Sequence, residues 1–331
     1  ARQFWDDIAR YDCTLFQYIG ELCRFLLAAP PHPRERAHRI RLVSGNGLRP
    51  DIWANFQKRF AIPRVLEWYA ATEGNAVLFN LDGRPGAVGR IPGWARRRFP
   101  MRLVRTNEAR DDVIRGPDGR CIVCADGEPG ELISEITDDP RRPSQRFEGY
   151  TSDDAGRSKV LTDVFRKGDR WFRTGDLLCR DRLGYFTFVD RLGDTFRWKG
   201  ENVSTAEVSE ALCAFPGILT AAVYGVAISG RDGKAGMATV ETAPGTDIDL
   251  AGLADHLATR LPAYARPLFL RVVGAIETTG TFKLRKTELA AAGFDPGTVK
   301  DRLFLLHPGE GRYVRLDADL HAEVVAGTIR V

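Results

Sequence analysis

The stretch "RLGDTFRWKGENVSTAEV", Arg191–Val208, divides the chain. It leaves a strand pattern, "GYFTFVDR" (184–191), passes Gly193 and Gly200, and carries Lys199-Gly200-Glu201-Asn202 toward a helix. Ser204 and Glu207 form a capping-box pattern for that helix. Val208, Ala211, Leu212 and Phe215 give it one apolar face, and Pro216-Gly217 end it. A charged, glycine-punctuated segment between a strand and a helix marks a boundary, because the texture differs on its two sides.

Upstream, helix and strand patterns alternate. "RQFWDDIARYD" (2–12) and "TLFQYIGELCRFLLAAP" (14–30) both carry apolar residues at helical spacing. Thr14 and Gln17 cap the second, and Pro30-Pro31 stop it. "RIRLVSGNGLRP" (39–50) reads as a buried strand running into a Gly-Asn-Gly turn. Pro50 and Asp51 open a helix through about Phe60, and "RVLEWYAATEGN" (64–75) is another apolar strand with a polar tip. Such alternation predicts parallel strands, whose carboxyl ends gather ligands. Ser44–Gly47 and Thr72–Asn75 lie at two such ends. From Gly86 to Arg191, short runs such as "MRLVRT", "CIVCA" and "GELISEI" between Gly, Asp and Pro turns read as β-rich. Downstream of the boundary, "LTAAVYGVAI", "GMATVET" and "PLFLRVV" are strands, with a helix near Leu250 to Arg260. The fold class expected is mixed α/β and α+β, with residues 1–191 as part of a large domain and 192–331 as a small α/β domain.

The 331 residues carry a net charge of only +4, which argues against a dedicated nucleic-acid binder. The densest basic spot, Trp94–Phe99, reads as a solvated loop, with a membrane-surface or phosphate contact as the alternative. Cys121 and Cys124 have no second pair and no nearby His to complete a zinc site, so they are expected to be plain thiols of a reducing compartment. No apolar run reaches the length of a membrane span, and no signal peptide is visible. The chain starts inside a helical pattern, as a piece of something longer would.

Four motifs in order make a resemblance specific: "YAATEGN" (69–75), "RTGDLL" (173–178), "GYFTFVDRLGDTFRWKGENVSTAEV" (184–208) and "TTGTFKLRK" (278–286). Together they resemble the adenylate-forming superfamily of acyl-CoA synthetases and luciferases. "DTFRWKGENVST" and "TFKLRK" are similar to its very-long-chain acyl-CoA synthetase and fatty-acid transport protein branch. The resemblance implies ATP, Mg2+ and coenzyme A as cofactors and a fatty acid as substrate. The acid is adenylated with release of diphosphate, then passed to the thiol. It also implies a cytoplasmic protein, with peripheral attachment at the inner face of the membrane and homodimerisation both open to it.

Residue by residue, Lys283 matches the lysine that holds substrate carboxylate and phosphate charge during adenylation. A basic surface loop is the plainer reading, and Thr281-Phe282-Lys283 departs from the usual Thr-Gly-Lys. Asp176 matches the ribose-binding carboxylate, whose two oxygens can accept both hydroxyls; a turn Asp after a glycine is the alternative. Arg191 matches a second ribose contact, against a surface ion pair with Asp190 or Asp194. Tyr69 matches the aromatic that stacks on adenine, with Ala70 where the family prefers Gly. Thr72 and Glu73 match a phosphate contact and the magnesium-side carboxylate. Gly45 and Asn46 resemble the loop along the adenine edge, though Gly-Asn-Gly is also a routine turn. Gly193 falls at the family's hinge. Lys199, Gly200 and Glu201 would border the pantetheine channel after the small domain swings, Gly200 allowing a close ligand approach.

One departure outweighs these. The family's phosphate loop, Thr-Ser-Gly-Thr-Thr-Gly, should lie far upstream of Tyr69 and is not among these residues. The expectation is therefore the C-terminal part of a ligase, inactive without its N-terminal half. Two alternatives stay open: a non-catalytic nucleotide- or acyl-binding module, and an acyl-AMP ligase that loads a carrier protein.

Overall fold

A computed structural model describes residues 3–70, 74–107, 112–142, 145–147, 159–243, 245–277, 284–329 and 331. The chain forms two compact units, 1–192 and 193–331.

The first unit opens with helix α1 (Phe4–Arg10), strand β1 (Leu15–Ile19) and helix α2 (Gly20–Ala28). The expected helix beginning at Thr14 is thus corrected. Leu15–Ile19 alternates exposed and buried residues and pairs in parallel with β2 (Leu42–Asn46), while the helix starts only at Gly20. The Thr14/Gln17 pattern caps nothing, because both residues lie ahead of that helix. Helix α3 (Pro50–Phe60) has Pro at its first turn, where the missing N–H costs nothing. Strand β3 (Val65–Ala70) adds in parallel to β2, and β4 (Val77–Asn80) closes the sheet antiparallel, in the order β1-β2-β3-β4. Trp5, Tyr18, Trp53, Phe56 and Phe60 fill the core between this sheet and its helices. All three parallel strands end at one edge, where Asn46 and Tyr69 sit.

The β-rich stretch makes a second sheet. It comprises β5 (Ala87–Arg90) and β6 (Met101–Val104); β7 (Thr106–Asn107) and β8 (Asp112–Val113) form a separate small ladder. Next come β9 (Pro129–Ile136), β10 (Val160–Thr162), β11 (Arg170–Arg180) and β12 (Tyr185–Arg191), ordered β5-β12-β11-β9-β6 with β10 on β11. Its inner face buries Leu103, Leu132, Leu178 and Phe186. "CIVCA" makes isolated bridges at Cys121 and Val123 rather than a strand. Both flanking thiols are buried and unbridged.

The second unit starts with a hairpin, β13 (Phe196–Trp198) and β14 (Glu201–Val203). Helix α4 (Thr205–Cys213) follows, and Ser204 caps it by accepting the Glu207 amide at 3.2 Å, as its sequence pattern requires. A five-stranded sheet holds β15 (Ile218–Val226), β16 (Ala235–Thr242), β17 (Phe269–Val273), β18 (Arg302–His307) and β19 (Arg312–Arg315), paired in that order. Helices α5 (Leu250–Arg260), α6 (Lys286–Ala292) and α7 (Ala318–Ala326) complete the unit. Among the described residues no helix is long and apolar enough to cross a membrane.

Candidate nucleotide site

Three of the expected nucleotide residues meet inside the first unit. The Tyr69 hydroxyl donates to Asp176 Oδ2 at 2.6 Å, and Arg191 Nε lies 3.7 Å from Asp176 Oδ1. The register explains the second contact. Asp176 of β11 and Arg191 of β12 are direct antiparallel partners. The first contact bridges the two sheets, because Tyr69 lies near the end of β3. The Asp176 side chain is 17% exposed and that of Arg191 is 53% exposed. The carboxylate is thus sheltered and oriented, while the guanidinium stays reachable from solvent.

The segment around Asp176 is built to turn its side chain out of the sheet. Between Arg173 and Leu177 the pairing of β11 with β9 breaks, a bulge that re-aims the residues within it. Gly175 holds φ +73°, a conformation that suits glycine. Thr174 donates its hydroxyl to the Leu132 carbonyl at 2.7 Å and accepts the Asp176 amide at 3.1 Å. Beneath the bulge, Arg173 clamps Glu131 with Nε–Oε1 and Nη2–Oε2 contacts of 3.1 and 2.8 Å. Glu131, fully buried, also accepts the Gly175 amide at 3.1 Å. Bidentate Arg–carboxylate geometry of this kind fixes orientation. Neither Arg173 nor Glu131 was assigned a role from sequence. The available signal was a carboxylate inside the apolar run "GELISEI".

At the neighbouring strand end, Gly45 is the penultimate residue of β2 and Asn46 its last. The Gly-Asn-Gly turn expected here therefore does not begin until Gly47, at φ +80°. Glycine at 45 is dictated by packing, since a β-carbon would collide with the Tyr18 carbonyl and ring. Below this edge lies a second carboxylate missed from sequence. Glu67, 2% exposed, accepts hydrogen bonds from the Tyr18 hydroxyl and the Gly47 amide, and from the Leu48 amide at 3.2 Å. Burial pushes its carboxyl up from 4.5 to about 7, against those hydrogen bonds, which pull the other way. Glu67 thereby ties the exit of β2 to β3.

Thr72 and Glu73 lie outside the described residues; their neighbours are anchored. Gly74 packs where a β-carbon would strike the Phe172 ring, and Asn75 Nδ2 donates to the Glu135 carbonyl at 2.8 Å. The described residues include no group of three His, Cys, Asp or Glu fit for a resident metal.

The second unit carries the remaining candidates. Lys199 and Gly200, at φ +53° and +84°, are the two turn residues of the β13–β14 hairpin, as a type I′ turn requires. Nothing lies within 4 Å of a β-carbon built on Gly200. The positive φ is by itself a reason for glycine here. Lys199, Gly200 and Glu201 are exposed at this tip. Lys283 lies outside the described residues, but the ends of its segment are pinned. The Arg285 side chain meets Glu277 at 3.1 Å, and Lys286 Nζ reaches Asp194 at 3.1 Å and Thr205 Oγ1 at 2.9 Å. Asp194 is next to Gly193, the first residue of this unit, at φ +92°.

Residues 1–134 match the family described as AMP-binding enzyme, and 207–283 match the AMP-binding enzyme C-terminal domain. Long-chain fatty acid transport protein 1 of Mus musculus is 48% identical over 99% of this chain and 50% of its own length. Long-chain fatty acid transport protein 3 of Homo sapiens is 44% identical over 100% of this chain and 48% of its own. The chain thus spans about half the length of these curated relatives. Among solved structures, ATP-bound MatB from Rhodopseudomonas palustris aligns with a TM-score of 0.68 at 23% identity, over 88% of this chain and 52% of that one. The O-succinylbenzoate coenzyme A synthetase of Bacillus subtilis, in complex with AMP, aligns at 0.62 and 21%, over 87% and 53%. The chain belongs to the AMP-binding, adenylate-forming superfamily, in its fatty acid transport protein and very-long-chain acyl-CoA synthetase branch.

Proposed function

We propose that this chain carries the adenosine-binding edge, the hinge and the mobile C-terminal domain of an AMP-forming fatty acid–coenzyme A ligase. The observation that carries the reading is the Tyr69–Asp176–Arg191 cluster, three motif residues from two sheets joined in one contact. Asp176 offers two acceptor oxygens to a ribose, and Arg191, 3.7 Å away, helps to orient the carboxylate. The Tyr69 ring supplies a face for the base. Gly45 and Asn46 border the same edge. Thr72 would touch the phosphates, and Glu73 would hold the Mg2+ that arrives with ATP.

The second half of the assignment rests on the unit boundary. Gly193 is the hinge, and Lys283 supplies charge during adenylation. After rotation, the exposed Lys199–Glu201 tip borders the pantetheine of coenzyme A. A carboxylate is a poor acyl donor, so the chemistry depends on cations placed where charge develops. Lysine suits this as a mobile point charge. The diphosphate end of ATP needs donors from the remaining half of such a ligase, so the 331-residue chain alone makes no acyl-CoA. The test is to mix it with ATP, Mg2+, a long-chain fatty acid and coenzyme A, and to follow diphosphate and acyl-CoA. Turnover from this chain alone that disappears in Lys283→Ala would overturn the requirement for the other half. In a complete ligase, Lys283→Ala should abolish acyl-adenylate formation and largely spare thioester formation from pre-made acyl-adenylate. Equal loss of both steps would remove Lys283 from its role.

A further inference from the structure

One buried side chain holds the exit of β2 from three directions. Glu67 of β3 accepts from the Gly47 amide, from the Leu48 amide at 3.2 Å and from the Tyr18 hydroxyl of β1. Glycines seat the same turn from its other side. A β-carbon on Gly20, the first residue of α2, would overlap the Gly47 carbonyl, and one on Gly45 would overlap Tyr18. Two residues beyond Glu67, on the same strand, stands Tyr69, whose hydroxyl donates to Asp176. A single carboxylate thus fixes the turn after Asn46 against the strand that carries the ring of the nucleotide cluster.

Among the described residues Glu67 is in no ion pair. The titratable groups facing it are the Tyr18 hydroxyl of β1 and the Cys23 thiol of α2. Burial, and then the Glu67 charge, push both up, so neither ionises near neutral pH. β2 and β4 place Gly45 and Asn80 in register with Glu67, and neither titrates. Arg49, next after Leu48, is turned to Asp51 at 2.7 Å, and Arg90 of β5, which packs on β3, is turned to Asp82 at 3.5 Å. Burial therefore holds a proton on Glu67 up to about pH 7, whereas the same carboxyl opened to water ionises near 4.5. Above neutral pH the charge favours a form in which the turn lifts away and water reaches the carboxylate.

We propose that Glu67 is a positioning residue for the nucleotide: by gripping the Gly47 and Leu48 amides it holds the end of β2 in the form that receives adenosine, and the grip depends on its proton. The inference rests on the nucleotide assignment above and adds a regulation to that site. Neutral Glu67 keeps the turn closed, and ionised Glu67 releases it. The closed form binds the proton more tightly than the open one, so raising the pH shifts the turn toward the open form. Adenosine binding is therefore strongest below neutral pH and falls as the pH rises through 7.

The test is saturation-transfer NMR titration of adenosine on the 331-residue chain at a series of pH values. Adenosine carries no phosphate and no group that titrates near neutrality, so a change reports on the protein. From about pH 6 to about pH 8.5 the affinity of the parent should fall about threefold or more. Glu67→Gln keeps an acceptor for both amides and a donor toward Tyr18, and its profile should be flat. Glu67→Leu leaves both amides without an acceptor and should bind about tenfold more weakly at every pH. Circular dichroism at each pH confirms folding; should Glu67→Leu not fold, parent against Glu67→Gln still decides. A flat parent profile, or the same fall in Glu67→Gln, would overturn the proposal. Asp176→Ala in the same series separates the two levels. If it binds adenosine as the parent does, or if the parent binds none, the nucleotide assignment falls and this inference with it. If it loses binding while Glu67→Gln follows the parent through the pH range, the role of Glu67 alone falls.

Discussion

The Tyr69 hydroxyl donates a 2.6 Å hydrogen bond to Asp176, a residue 107 positions further along the chain. This contact links the carboxyl edge of the parallel sheet to the bulge in the second sheet. It brings together two motifs, "YAATEGN" and "RTGDLL", that have no local reason to meet. Much of the first unit's architecture serves to hold these two side chains in place, and the consequences can be measured.

The Arg173–Glu131 clamp under the bulge is buried, with side chains 14% and 0% exposed. Removing one partner strands a charge in the core. Glu131→Ala should cost the first unit about 3–5 kcal/mol. The double variant Glu131→Leu, Arg173→Met should recover most of that loss. Urea denaturation followed by tryptophan fluorescence reads both, and a loss below about 1 kcal/mol for Glu131→Ala would contradict the assignment.

Glu67 gives a pH dependence with a defined sign. Its folded carboxyl holds a proton up to about pH 7, whereas the unfolded value is 4.5. The stability it contributes is therefore fully present below pH 4.5 and is lost as the pH rises through 7. Glu67→Gln is neutral throughout and should flatten the fall across this window, by about 3 kcal/mol between its ends. The measurement is chemical denaturation of parent and variant at a series of pH values. Identical slopes would show that Glu67 does not titrate in the folded unit.

Several of these features were legible in the sequence, and the failures have physical causes. Helices at Pro50–Phe60 and Leu250–Arg260 and the Ser204 cap follow from strong local signals. Leu15–Ile19 was misread because a five-residue buried strand runs directly into the helix at Gly20. Phe16 and Tyr18, joined to the apolar residues beyond, mimic a longer helical stripe. Glu67 and Glu131 carry no assigned role in the sequence reading because a carboxylate in a strand, even inside an apolar run, looks the same whether it faces water or a buried partner.

Gly193 at φ +92° offers a test of the hinge. Proline is confined to φ near −65°, so Gly193→Pro excludes the conformer seen here. In a complete ligase, the half-reaction that uses this conformer should stop while the other continues. Diphosphate exchange reports adenylation, and acyl transfer from pre-made acyl-adenylate reports thioester formation. Unchanged rates of both would count against a hinge at this position.

The most direct measurement is saturation-transfer NMR of AMP on the 331-residue chain, a method that detects weak binding. The adenine and ribose protons should receive saturation from the parent. That transfer should disappear in Asp176→Ala, which removes charge-assisted hydrogen bonds of roughly 1.5–3 kcal/mol, and 2′,3′-dideoxy-AMP should give little with either. A folded Asp176→Ala variant that saturates AMP as the parent does, ribose included, would contradict the assignment of the Tyr69–Asp176–Arg191 cluster as the nucleotide site.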